Sequence, residues 1–157
     1  MKFRMRIRGW AQHLGLVGPL RVPPLCEQRE GESREAFLQR SLYANLAYAE
    51  AHGELGDRTR AAWFAEHLAI YVRRLRGWLM LDPPADLNVM TDLVMVRIGA
   101  QATGRELDRI RPGPAVRAAW AEVEAAIPML ARSRMEDVEQ VEARVTALRA
   151  AIQAERG

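Results

Sequence analysis

ADLNVMTDLVMVRIGAQA, residues 85 to 102, decides the fold class, because its centre reads two ways. Leu93, Val94, Met95, Val96 and Ile98 suit a buried strand as well as a helix. Context favours the helix. A lone strand has no partner for its backbone N–H and C=O groups, and Leu87, Met90, Val94, Ile98 and Gln101 trace one stripe at helical spacing. Thr103 with Glu106 matches a capping box, which predicts a break there or a short further helix ending at Arg111, before Pro112-Gly113-Pro114.

Upstream, residues 33 to 52 read as a helix opened by Ser33, with Phe37, Leu38, Leu42, Leu46 and Ala49 on one face and Gly53 closing it. Asp57 is the expected N-cap of the next, whose Phe64, Leu68, Tyr71, Leu75 and Trp78 alternate at spacings of four and three. The tight turn between them predicts an antiparallel hairpin. Asp82-Pro83-Pro84 then stops the second helix, since proline supplies no N–H to the ladder. Downstream, Val116, Trp120, Val123, Ile127 and Leu130 form one seam and Val138, Val141, Val145, Leu148 and Ile152 another. The seams are out of register, so a turn is expected at Pro128 and at the Ser133 to Glu136 capping box. Glu136, Asp137, Glu139 and Glu142 near the start of the last helix and Arg149 and Arg156 near its end suit the helix dipole.

The expected fold is therefore all-α. It is a single-domain helical bundle of about five or six helices built from antiparallel helical hairpins (33–157), preceded by a basic N-terminal arm and a Pro/Gly-containing linker (1–32). The arm fits both a two-faced strand and a helix bearing Phe3, Ile7, Trp10, Leu14 and Val17, with the helix favoured through Leu14. Charge is unevenly placed. Residues 1 to 26 hold Lys2, Arg4, Arg6, Arg8 and Arg21 with no acid, whereas the remainder of this +3 chain is slightly acidic overall. Within that remainder, residues 58 to 78 and 97 to 117 are locally basic, and together would form a basic surface if the fold makes them neighbours.

Catalytic chemistry needs convergent polar groups, and the familiar constellations are missing from the sequence. It has no glycine-rich phosphate loop, H-E-x-x-H pair, EF-hand series or CxxC. Glu50 with His52 and Glu66 with His67 lack the Glu-x-x-His spacing of a di-iron bundle, so the histidines are expected at the surface or just beneath it. The lone Cys26 has acidic neighbours in Glu27 and Glu30, which disfavour a reactive thiolate. The expectation is a non-enzyme with no cofactor and no metal. Without a disulfide framework, an apolar leader or a spanning segment, a cytoplasmic location is also expected.

Arginine beside tryptophan recurs, in Arg6-Ile7-Arg8-Gly9-Trp10 and Arg74-Leu75-Arg76-Gly77-Trp78. Guanidinium groups bind phosphate oxygens in pairs while indole faces stack on bases. The chain therefore reads as a non-catalytic helical subunit of a nucleoprotein assembly. Lys2, Arg4, Arg6, Arg8, Arg73, Arg74 and Arg76 would contact nucleic-acid phosphates without reading sequence, and the bundle would pack on protein subunits. In size, expected helicity and charge it is similar to the small helical subunits of RNA-guided CRISPR effector complexes. The alternative is a helical protein-interaction module whose amphipathic arm docks on a partner protein or an anionic membrane surface through Phe3, Ile7 and Trp10. Both readings leave self-association open.

Overall fold

Local capping and apolar spacing produce helices throughout the part of the chain that the computed structural model describes, residues 27 to 157. The N-terminal arm through residue 26, with Cys26, lies outside the described residues. Five α-helices follow one another: α1 (Arg34–Ala51), α2 (Arg60–Leu79), α3 (Asp86–Ile110), α4 (Pro114–Ala126) and α5 (Met135–Arg156). A 3-10 segment, Ile127–Arg132, joins the last two. No strand occurs among the described residues, so the ambiguous stretch at 85 to 102 resolves as helix.

Ser33 caps α1 as expected, its hydroxyl accepting from the Ala36 N–H at 3.1 Å. The residues just before it are tied down as well. Arg40 donates to both carboxylate oxygens of Glu32 at 2.9 and 2.8 Å, and these bonds, with the Arg29 backbone N–H, pull the Glu32 carboxyl down to about 2. Glu32 thus ties the described end of the linker to α1.

Three caps differ from the sequence expectation. Thr59, not Asp57, opens α2, accepting from Ala62 N–H at 3.1 Å. The turn runs longer because Arg58 donates to the Leu55 and Glu54 carbonyls and binds Glu66, holding residues 54 to 58 outside the helix. Thr103 and Glu106 form no capping box, and α3 continues unbroken. Both are buried; the Thr103 hydroxyl donates to the Gly99 carbonyl at 2.7 Å, and Glu106 accepts from Arg109 at 2.9 Å. Ser133 does not cap α5 either. It closes the preceding 3-10 segment with φ of 50°, and a residue in that left-handed conformation cannot also hold the extended geometry of an N-cap. Arg134 takes the position and reaches Glu136 at 3.1 Å and Asp137 at 3.3 Å.

The core forms where α2 meets α3 and α5. Phe64, Leu68, Val72 and Leu75 of α2 are wholly enclosed, as are Val138, Val141, Val145 and Leu148 of α5. Each such side chain gains roughly 1.5–3 kcal/mol from leaving water. The closest pairing is α2 with α3, not α1 with α2. Helix α1 reaches α2 mainly through side chains, Tyr43 lying against Phe64 with ring centroids 5.2 Å apart and Glu50 pairing with Arg60 at 2.5 Å.

The largest correction concerns which face of α3 is inside. The stripe predicted from Leu87, Met90, Val94, Ile98 and Gln101 leaves Leu87, Met90 and Gln101 exposed. The buried face instead runs through Val89, Asp92, Val96, Gly99, Thr103 and Glu106. An apolar count assigns Asp92, Thr103 and Glu106 to the outside, but each finds a hydrogen-bond partner within the packed body, which removes most of the cost of burial.

Candidate interaction surfaces

Helices α2 and α3 are neighbours, so the two basic segments of the sequence do adjoin, but their charges are largely matched. Arg73 stands 4.0 Å from Glu142, and Arg76 reaches Glu142 at 3.4 Å and Glu139 at 3.6 Å. Those acids, read from the sequence as complements to the dipole of the last helix, serve also as partners for the end of α2. Arg74 lies 3.1 Å from the buried Asp92. Arg58 binds Glu66, Arg60 binds Glu50, Arg97 binds Glu35 at 2.6 Å and Arg109 binds Glu106. Arg73, Arg74 and Arg76, three of the expected phosphate contacts, therefore each face a carboxylate of the same chain. The other four, Lys2, Arg4, Arg6 and Arg8, lie outside the described residues.

Asp92 anchors a polar cluster between α2 and α3. Its Oδ2 accepts from the Trp78 indole N–H at 2.6 Å, and its Oδ1 faces Arg74 out of line for a hydrogen bond. Burial pushes the Asp92 carboxyl above the ordinary aspartate range, although Trp78 and Arg74 both pull the other way. The neighbouring Tyr71 hydroxyl is pushed up to about 12, chiefly by burial. Trp78 is half-buried, as its place on the seam predicts.

Three arginines without a carboxylate partner gather at the other end of α3. Two adjoining hollows, of about 480 and 500 Å3, share Gly104, Asp108, Trp120 and Glu124. Arg105 lines the first, Arg111 and Arg117 the second, and none of the three has a carboxylate partner among the described residues. Trp120 is half-buried, and Gly104 lets it approach: a Cβ there would lie 2.9 Å from the indole Cζ2. The α3 to α4 turn that places Arg111 carries a φ of 49° at that residue.

A different surface lies where α2 ends and α3 begins. Met80, Leu81, Leu87 and Met90 are 68, 49, 77 and 67% exposed, four large apolar side chains within eleven residues. Asp82 and Asp86 flank them, and no basic residue occurs between positions 80 and 90. Large apolar side chains exposed so close together in the sequence mark a surface that meets something other than water. Sequence reasoning missed it, because Leu87 and Met90 were assigned to the core face. Trp120 does lie in the expected seam, packed against the core, and its contact with the hollows is what the sequence left unread. The absence of any basic residue between positions 80 and 90 was a readable signal; the approach of Gly104 to Trp120 was not.

The described histidines are engaged by aromatic rings. His52 stacks on Tyr48 and His67 on Trp63, with centroids 4.0 and 3.7 Å apart. His67 Nδ1–H donates to the Trp63 carbonyl at 2.9 Å. Burial pushes the His67 pKa below the ordinary histidine value, so His67 contributes stability above the unfolded-state pKa that is lost as pH falls through the folded one. Urea denaturation from about pH 7 to about pH 5 should show a steeper loss for the wild type than for His67→Gln. Equal losses would remove His67 as the source.

Among the described residues no group of three or more His, Cys, Asp or Glu side chains is placed to hold a metal ion, and no helix is long and apolar enough to cross a membrane. Compared with protein families, with curated proteins and with solved structures, the chain matches none.

Proposed function

We propose that this chain is a non-catalytic helical subunit of a larger assembly, a bundle of antiparallel helical hairpins with a basic N-terminal arm, seated on a protein neighbour. The exposed apolar end at Met80, Leu81, Leu87 and Met90 carries the reading. Burying these side chains against a partner recovers the hydrophobic free energy that folding alone leaves unused, and methionine adapts to irregular contact surfaces. Asp82 and Asp86 at the rim favour a neighbour whose contact face is apolar and edged with basic residues. A second copy of this chain would set these acids against their own counterparts, so a different protein is the better match.

The test compares the wild type with Leu87→Glu/Met90→Glu, both exposed positions at which the fold should tolerate the change. A photo-crosslinker placed at Leu81 in the source cell identifies the neighbour, and the complex is then reconstituted from pure components. The double variant should lose that binding by about a hundredfold or more, as expected when central apolar anchors are replaced by charge. Unchanged affinity, or a neighbour whose contact face is acidic, would overturn the reading.

A nucleoprotein form of the same reading is favoured by one further observation, the three arginines without carboxylate partners around Trp120. In that form the assembly contains nucleic acid, and the chain contacts its phosphates without reading sequence, with Lys2, Arg4, Arg6 and Arg8 of the arm supplying further positive charge.

A further inference from the structure

The geometry points to the Trp120 groove as a binding site for single-stranded nucleic acid, with one base stacked on the indole and the flanking phosphates held by Arg105 on one side and by Arg111 and Arg117 on the other. The inference rests on the nucleoprotein form of the proposed function and assigns it a place in the fold.

Three observations converge. Every arginine of α2 reaches a carboxylate, as do Arg97 and Arg109 of α3, whereas Arg105, Arg111 and Arg117 reach none among the described residues. These three line two hollows that meet at one half-buried indole, so each hollow brings at least one cationic group to the same aromatic side chain. A strand crossing the indole presents a matching set: phosphate, base, phosphate. Stacking is tolerant of sequence because every base has a π-face.

Asp108 and Glu124 share both hollows, so the groove is not a uniformly positive trough. Carboxylates there would repel a bare phosphate, yet they accept hydrogen bonds from the exocyclic amino groups of adenine, cytosine and guanine. A ligand that offers separated phosphates and an amino-bearing base meets all five side chains. Inorganic phosphate meets only the arginines and is opposed by the acids.

Binding of a labelled ten-nucleotide oligoadenylate to the full chain, followed by anisotropy across a salt series, tests the assignment. Arg105→Ala and Arg117→Ala, both at exposed positions, should each weaken binding and each lower the slope of log K against log salt by about one contact. Trp120→Ala should weaken it by about tenfold, with Trp120→Phe recovering most of the loss and circular dichroism reporting retained helix. An oligothymidylate, whose base has no exocyclic amino group, should bind more weakly.

If the oligonucleotide binds but all three alanine variants leave affinity and salt slope unchanged, the groove is not the site, and the nucleoprotein reading survives through the arm. Absence of binding even at low salt would sink both. Competition by inorganic phosphate as effective as competition by the oligonucleotide would also overturn the stacked-base assignment.

Discussion

Phe64→Ala should cost about 3–5 kcal/mol of folding free energy, the range for emptying a large aromatic site in a closed core. Phe64 has no solvent exposure, and its ring sits between Tyr43 of α1 and Trp63 beside it, each with a centroid 5.2 Å away. Because α1 reaches α2 mainly through such side chains, the cavity also loosens the seat of α1. Urea denaturation followed by circular dichroism should show a lower midpoint. Amide exchange should then rise in Arg34–Ala51 more than in α4 or α5. Leu87→Ala, at a residue 77% exposed, is the control and should change stability by no more than about 0.5 kcal/mol. A Phe64→Ala cost below about 1 kcal/mol would contradict the enclosed packing described for α2.

Asp92 is the second position where removing one side chain should be felt strongly. Asp92→Ala leaves the Trp78 indole N–H without its acceptor and Arg74 without its carboxylate, inside a contact between the two most closely packed helices. The expected cost is about 2 kcal/mol, from a lost hydrogen bond to a charged group and a small cavity, with the Arg74 contribution discounted because that side chain is partly in water. Asp92→Asn keeps an oxygen acceptor for Trp78 and should cost about 1 kcal/mol or less.

The pH dependence separates the two roles of Asp92. Burial raises its folded-state pKa, so its contribution is fully present below the unfolded-state pKa and is lost as pH rises through the folded one. Within that window the denatured chain releases the proton before the native chain does. Wild-type stability measured against Asp92→Asn should therefore fall as pH rises from the ordinary aspartate range. A difference that stays constant with pH would mean that Trp78 and Arg74 together fully offset the burial.

The competition seen at Asp92 also explains why the helices were legible and their neighbours were not. Ser33, the alternation from Phe64 to Trp78 and the seam from Val138 to Ile152 are local signals, set within a few residues along the chain, and each appears in the structure as an element or a buried face. Thr103 with Glu106 and Ser133 with Glu136 carry equally good local signals for caps that do not form. In the first pair packing buries both residues within a continuing helix, and in the second the 3-10 segment claims Ser133. The site was less legible than the fold. A net charge over residues 58 to 78 counts guanidiniums, but Glu139 and Glu142, more than sixty residues away, decide that Arg73 and Arg76 are matched.

The sequence by itself determined that the described chain is helical, that helices end ahead of Gly53, Pro83 and Pro112, and which faces of α2 and α5 are inside. Those properties follow from hydrogen bonds and side-chain spacing within single turns. Only the tertiary structure decided that Leu87 and Met90 face outward while Asp92 faces inward, and that the arginines near Trp120 lack the carboxylates that those of α2 have. Burial and charge pairing depend on which helix lies alongside. That neighbour is chosen by the packing of the whole core, not by any stretch of eighteen residues.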